Sequence, residues 1–317
     1  MVELSCFIER LAMIYQRTLA KSVKVTGIGL HSGKKVTMKL VPADADFGIQ
    51  FIRTDISDSK PIKANALTVG TTENATTLGQ GVEAIHTVEH LLGTLYGLGI
   101  DNCLVEIDGP EVPIMDGSGA SFVFLLKETG IKNLNKSKKF LVILETVRVE
   151  KDGKWAQFEP SQNLVIDSTI VFAHPVIKTQ RFDFNFSCET FIQDISRART
   201  FGFAKDVDML KRKGLIKGGS LDNAVVLDDY KVMNPEGLRF PNEFVRHKIL
   251  DTIGDVSLLG HEIAGKITTY KSGHNLHNLL CRKLLESPSS YEIVSASALK
   301  AEVREAHKLP QFITVTH

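Results

Sequence analysis

Strand-like text followed by helical text occurs twice along this chain, and that order restricts the fold more than any other feature. From Thr18 to Arg53 apolar and polar residues alternate (Val23, Val25; Val36, Met38, Leu40), broken by GIGLHSGKK and Pro42, which is a strand-turn-strand pattern. The period then lengthens. Val88, Leu91, Leu92, Leu95 and Leu98 fall at helical spacing between Thr87 and Leu98, and GLGIDN supplies the stop. NCLVEID reads as the next strand, and GPEVPIMDGSGASFVFLLKETG as a turn and an apolar helix with Asp116 or Ser118 as N-cap. The second half repeats the order: strands between Leu141 and Phe186, a helix from Glu243 to Leu259, and an apolar helix from His274 to Leu285. EHLLGTLYGLG and RHKILDTIGDV are faintly alike, a short hint of duplication.

At about 150 residues per domain, 317 residues suggest two domains. The polar, basic stretch from Gly130 to Phe140 marks the boundary, with a second domain over 136–317 after it. Within the second, RARTFGF reads as a strand, AKDVDMLKRKGLIKGG as an amphipathic helix and DNAVVL as a strand. This is a βαβ insert over about 197–228 with its strands parallel. LIKGGS lacks the spacing of a phosphate loop and of a dinucleotide fingerprint, which excludes nucleotide hydrolysis and Rossmann binding.

Lys and Arg number 38 against 37 Asp and Glu, so bulk charge does not hold this chain to nucleic acid or anionic lipid. Cys6, Cys103, Cys188 and Cys281 are scattered with no C-x-x-C pair, as expected of free thiols in a reducing cytosol. No uncharged apolar run approaches the ~20 residues of a membrane span. The N-terminal stretch lacks the pattern of a secretory signal, so the protein is expected to be neither exported nor membrane-spanning.

Three places carry chemistry. In FVRHKILDTIGDVSLLG, His247, Asp251 and Asp255 are spaced by four and line one slowly drifting helical stripe, while Val245, Ile249, Ile253 and Val256 face roughly the other way. An H-x-x-x-D pair can give a metal two ligands from one rigid element, or it can be a solvated polar face. In TVEHLLG, Glu89 and His90 supply the inventory of a zinc hydrolase, a ligand and a water-activating carboxylate, or a helix-start Glu beside a satisfied core His. In SGHNLHNLL, His274 opens a helix with His277 one turn on; it is either a proton donor oriented by Asp255 or a cap-region surface residue. Thr200 in ARTFGF could donate to an oxyanion or be only a β-former. His31, between glycines and near two lysines, could touch a ligand phosphate or decorate a surface turn; His86, His174, His261, His307 and His317 are assigned no metal role.

TGIGLHSGKK, TVEHLLGTLYGLGIDN, EVPIMDGSGASF, SRARTFGF, GGSLDNAVV, LRFPNEFVRHKILDTIGD and KSGHNLHNLL occur in this order. Together, over roughly Ile14 to Leu285, they resemble the UDP-3-O-acyl-N-acetylglucosamine deacetylase family. These are zinc amidases of the committed step of lipid A biosynthesis in Gram-negative bacteria. The resemblance implies an α+β fold of two similar domains, each with helices sandwiched between β-sheets, and with the insert forming an acyl passage. It implies a Zn2+ cofactor on His90, His247 and Asp251, with Glu89 as general base and His274, supported by Asp255, stabilising the oxyanion together with Thr200. Lys248 would contact the uridine diphosphate and Phe201 the sugar or chain. Met209, Leu210, Leu215 and Ile216 would line the passage, and Asp116 would be mainly structural. The implied substrate is the small molecule UDP-3-O-(3-hydroxyacyl)-N-acetylglucosamine, handled by a cytoplasmic monomer with no nucleic-acid partner.

The family pattern begins near Met13, so the resemblance implies a first domain over 13–135 and an extra segment over 1–12. Two other readings stand beside the deacetylase. One is a metal amidase of the same fold acting on another acylated sugar nucleotide. The other is a non-catalytic lipid or sugar-nucleotide binding protein, against which the intact set of Glu89, His90, His247, Asp251 and His274 speaks, because a binding module needs no water-activating base.

Overall fold

The computed structural model describes residues 15–297, so the segment expected over 1–12 lies outside the described residues. The first half runs β1 (Tyr15–Leu19), β2 (Val23–Ile28), β3 (Lys35–Pro42), β4 (Ile49–Arg53), β5 (Ile62–Lys63), α1 (Glu89–Gly97), β6 (Cys103–Ile107), α2 (Ala120–Thr129) and β7 (Ile131–Ser137). The second continues with β8 (Lys139–Ile143), β9 (Val147–Lys151), β10 (Lys154–Glu159), β11 (Val165–Val171) and β12 (Thr179–Asn185). An insert follows, of β13 (Phe201–Phe203), α3 (Ala204–Arg212) and β14 (Val225–Leu227). The chain closes with α4 (Glu243–Val256), β15 (Glu262–Ala264), β16 (Lys266–Tyr270), α5 (His274–Leu285) and β17 (Tyr291–Ser295).

The hint of duplication is written plainly in the sheets. One five-stranded sheet has the order β2-β3-β6-β4-β5 and the other, read from its opposite edge, β9-β10-β16-β11-β12. In both, an antiparallel hairpin is followed by a late strand that pairs antiparallel with the hairpin and parallel with the fourth strand of the order. A helix precedes that late strand and another follows it, so α1 corresponds to α4 and α2 to α5. The smaller sheets, β1-β7 and β15-β8-β17, complete the two repeats. The polar stretch after Gly130 is strand, because β7 pairs along β1 as a ribbon. The repeats change over at Lys138, which is buried between Asp101 and Glu262 at 3.1 and 3.3 Å.

One apolar core links the two large sheets through the helices: Met38, Leu40 and Phe51 from the first, Leu91 and Leu95 from α1, Ile249 and Ile253 from α4, Phe158 and Ile267 from the second. The α+β architecture with helices between sheets is therefore present. The parallel pairing of β13 with β14 realises the βαβ insert, which packs through Val225 and Leu227 on Phe244 and Val245 of α4. Three boundaries differ from the sequence reading, and the first is that α3 stops at Arg212, so LIKGG lies in the turn after it. The N-cap of α2 is Gly119; Ser118 Oγ accepts from Ala120 N at 3.1 Å, and Asp116 turns instead to Ser118, Ser121 and Arg239. The α4 helix ends at Val256, where a short 3-10 turn over Ser257–Leu259 takes over. Among the described residues no helix is long and apolar enough to cross a membrane, and Cys103, Cys188 and Cys281 are free.

The crossing of α1 with α4 positions everything that follows. A Cβ on Gly254 would lie 2.1 Å from the Glu89 carbonyl oxygen, and one on Gly93 would lie 3.0 Å from the Leu250 carbonyl oxygen. Only glycine lets the two backbones approach this closely. As a result the first turn of α1 faces the middle of α4.

Candidate metal centre and catalytic cluster

Glu89 opens α1, where a carboxylate is favoured by the helix dipole. Just before it, Thr87 holds φ at 58°, a conformation that costs a β-branched residue of order 1–3 kcal/mol; its hydroxyl is tied to Glu111 at 3.0 Å. The i, i+4 stripe on α4 behaves as its spacing predicts, but it is not solvated: His247, Asp251 and Asp255 are all buried. Because α1 and α4 cross so closely, His90 joins them.

The three nitrogen and oxygen atoms sit as ligands of one ion would. Asp251 Oδ1 lies 3.4 Å from His90 Nε2 and 3.3 Å from His247 Nε2. Zinc–ligand bonds of about 2.0–2.1 Å at tetrahedral angles put neighbouring donors about 3.3–3.4 Å apart. Asp251 Oδ1 is buried with no hydrogen-bond partner, a costly state for a carboxylate oxygen unless a cation takes it. His247 donates Nδ1–H to the Ala198 carbonyl at 3.0 Å, which leaves the Nε2 lone pair free to ligate. Burial pushes His247 down to about 3, so the ring is neutral near pH 7. Burial would raise Asp251, but it is held well below the ordinary carboxylate range, with the Lys248 ammonium the charge that remains beside it near pH 7; Lys248 Nζ donates to Oδ2 at 2.8 Å. The residues fit a divalent metal.

Beside this group stands a second, hydrogen-bonded one. Glu89 Oε1 is 3.9 Å from His274 Nε2, and His274 Nδ1 is 2.8 Å from Asp255 Oδ2. His274 begins α5, where the helix dipole disfavours a cation, and burial opposes its charge as well. Asp255, aided by Glu89 and Asp251, overrides both and raises its pKa to about 9. Burial lifts Glu89, only partly countered by His274 and His90. Thr76, a residue the sequence did not single out, fastens both carboxylates: its N–H donates to Glu89 Oε2 at 3.0 Å and its hydroxyl to Asp255 Oδ1 at 2.5 Å. His277 also reaches Asp255 Oδ2, at 2.7 Å.

The remaining candidates surround these groups unevenly. Phe201 stacks edge-on toward His247 and Phe244, with the Lys248 ammonium 5.7 Å from its ring. Thr200, adjacent to it, is held through its backbone by Gly117 and Val225. Leu215 and Ile216 lie in the turn after α3, half-buried, where the next residues, Lys217 and Gly218, bond to the His31 and Leu30 carbonyls. His31 is not surface decoration, since both ring nitrogens are buried, and burial lowers its pKa. Asp116 pairs with Arg239 at 2.8 Å, bridging the halves. Further back, Glu243 at the start of α4 is fully buried and takes both the N–H and the Nε–H of Arg199 at 2.9 Å, which fixes the 198–200 segment against the helix. Thr76, Glu243 and the Ala198 carbonyl leave no mark in local spacing, because each acts on a partner far away in the chain.

The comparisons with known proteins bear on the whole chain. The family profile described as UDP-3-O-acyl N-acetylglycosamine deacetylase matches residues 16–286. The chain is 48% identical over 306 residues to a protein of Sodalis glossinidius, covering 96% of this chain and 100% of that one. It is 51% identical over 287 residues to one of Myxococcus xanthus, covering 90% and 91%. It is 48% identical over 307 residues to one of Haemophilus influenzae, covering 96% and 100%. All three are named UDP-3-O-acyl-N-acetylglucosamine deacetylase.

Proposed function

The chain belongs to the UDP-3-O-acyl N-acetylglycosamine deacetylase family, and from that premise we propose that the buried cluster around Asp251 hydrolyses the N-acetyl amide of its substrate. The enzyme is a metal-dependent amidase of lipid A biosynthesis acting on a small molecule, UDP-3-O-(3-hydroxyacyl)-N-acetylglucosamine. The observation that carries the site assignment is the buried, unpartnered Asp251 Oδ1 standing 3.3 and 3.4 Å from two histidine nitrogens, with Glu89 and His274 beside it.

His90, His247 and Asp251 would hold Zn2+, and three protein ligands leave a position open. When bound, the ion supplies Lewis acidity, making water a better nucleophile at neutral pH and drawing electrons from the amide carbonyl. Glu89 takes the proton of the attacking water. Its burial-raised pKa brings it closer to the working pH, where a general base is most effective. His274 stays protonated, pinned through Nδ1 to Asp255, and presents Nε2–H to the carbonyl oxygen as negative charge grows there. Thr200 adds a hydroxyl on the Phe201 side. As the C–N bond breaks, the amine takes the proton that Glu89 collected, directly or by way of His274, and acetate leaves. Lys248 keeps Asp251 ionised and oriented, so its ammonium reaches the diphosphate only at the expense of that bond. Phe201 offers an apolar face to the sugar or chain, and Leu215 and Ile216 line the acyl passage of the insert.

Mass-spectrometric detection of acetate released from UDP-3-O-(3-hydroxyacyl)-N-acetylglucosamine tests the reading. Chelator-stripped protein should be inactive, and substoichiometric Zn2+ should restore turnover in proportion to metal added. A folded, zinc-loaded protein that releases no acetate would move the assignment to another acylated sugar nucleotide. Restoration by iron(II) alone would reassign the metal, since iron also suits a His2Asp set.

A further inference from the structure

We propose that His277 is a positioning residue for the Asp255–His274 pair, holding one oxygen of Asp255 with its Nδ1–H and sharing that oxygen with His274. The inference rests on the reading of His274 as the charged donor of the site.

Asp255 Oδ2 lies 2.8 Å from His274 Nδ1 and 2.7 Å from His277 Nδ1, while Oδ1 accepts the Thr76 hydroxyl at 2.5 Å. An ionised carboxylate only accepts, so both rings present Nδ1–H to the same oxygen. A zinc ion among these three groups would hold the donors about 3.3 Å apart. The observed spacing is that of hydrogen bonds, so this cluster is not a second metal centre.

The other face of His277 is hydrogen-bonded as well. Its Nε2 is 2.8 Å from Ser272 Oγ and 3.4 Å from Thr252 Oγ1, and the Thr252 hydroxyl already donates to the Lys248 carbonyl at 2.8 Å. A ring that donates through Nδ1 and meets the Ser272 hydroxyl through Nε2 is satisfied on both sides, at 1% exposure. Few charged groups face this pair. Asp255 comes from α4, and His274 shares α5 with His277; Glu89 of α1 with Asp251 and Lys248 of α4 stand beyond them, and burial keeps the nearby Cys281 thiol protonated.

Two N–H donors on one oxygen divide its basicity. His274 therefore holds its proton less tightly than it would against an unshared Asp255, which keeps it a stronger acid, and the oxygen is fixed between two rings so that Nε2 of His274 keeps one direction. A residue that merely filled space would do neither.

The test compares the pH profile of kcat/KM for zinc-loaded wild type, His277→Leu and His277→Asn, together with an NMR titration of the histidine ring nitrogens in chelator-stripped protein. In His277→Leu the alkaline limb and the His274 titration should both rise by about 1 pH unit, the size of one redirected charge-assisted hydrogen bond. His277→Asn keeps a neutral N–H donor in place and should bring both back to within about 0.3 unit of wild type, since an amide can make the same single bond. An unmoved limb with only a lowered plateau, or a downward shift, would overturn the proposal. If His277→Leu does not fold, the wild-type spectrum decides: His277 must be the Nδ1–H tautomer, and an Nε2–H tautomer refutes the role. The ring titration needs no turnover, so an inactive enzyme would count against the functional reading and leave this one to be judged separately.

Discussion

Replacing Gly254 by alanine tests whether the metal ligands owe their spacing to the α1–α4 crossing. The added Cβ would stand 2.1 Å from the Glu89 carbonyl oxygen, 2.8 Å from its carbon and 3.0 Å from its Cα. All three are backbone atoms of α1, which no rotamer change can move aside. Carbon and carbonyl oxygen approach to about 3.3 Å, so the helices must part by about 1 Å. The consequence is selective. His247 and Asp251 ride together on α4 and keep their 3.3 Å, whereas His90 reaches Asp251 across the crossing, and its 3.4 Å must grow. Metal bonds tolerate about 0.2 Å, so the third ligand is lost. Overpacking should cost about 1–3 kcal/mol and lower the melting temperature by about 2–4 °C for each.

Zinc affinity should fall at least about 100-fold, more than loss of an outer-shell partner usually costs. Gly93→Ala supplies the graded control, because its Cβ meets the Leu250 oxygen at 3.0 Å, the Leu250 Cδ1 at 3.1 Å and Gly254 N at 3.3 Å, which shifts of a few tenths would relieve. Its loss of affinity should stay under about 10-fold, the low end for a perturbed outer shell. Competition with a chromophoric chelator measures affinity, and melting with and without zinc measures the coupled stability. Wild-type zinc affinity in Gly254→Ala, or greater damage from Gly93→Ala, would refute the link between crossing and ligand spacing.

Two further outcomes follow from the site. Glu89→Gln should keep its metal, measured by atomic emission, while acetate release falls by about 10²–10⁴, the range of a lost general base; full activity would remove Glu89 from that role. The His274 pKa is raised in the folded state from 6.5 to about 9, so its contribution to stability is fully present below 6.5 and is lost as pH rises through 9. Chelator-stripped wild type should therefore lose stability to denaturant across that window, and Asp255→Asn, which removes the main cause of the shift, should flatten the loss.

The elements were readable where the text is periodic, as the close agreement over α1, β6 and α5 indicates. The His247, Asp251 and Asp255 stripe on α4 is equally readable, because i, i+4 spacing is a local property of one helix. What bound the pieces together was not. Whether Asp255 is solvated or buried depends on α5 returning against α4, and Thr76 acts on a residue 179 positions further along the chain. Gly93 and Gly254 read as ordinary helical glycines until two backbones meet on them. The N-cap of α2 was misplaced for the same reason: Asp116 satisfies Arg239 from the other half, a demand that outweighs local capping.

Duplication explains both the likeness of the two helices and the inequality of what they carry. Aligning EHLLGTLYGLG with RHKILDTIGDV places His90 on His247, so the two imidazoles proposed as ligands are equivalent residues of repeated helices brought face to face. Four residues on, the equivalence breaks. Asp251 corresponds to Thr94, whose hydroxyl turns back to the His90 carbonyl at 2.8 Å and offers the metal nothing. A symmetric pair would have set two carboxylates around one ion and closed it; with threonine on one side the set stops at three ligands, which leaves room for chemistry. The residue before each histidine breaks the pattern in the same way: Glu89 faces the site, while Arg246 is held away by Asn242 and Asp194. The repeat supplies the histidines and the close crossing, and the departures from it supply Glu89 and Asp251, the carboxylates proposed as base and ligand.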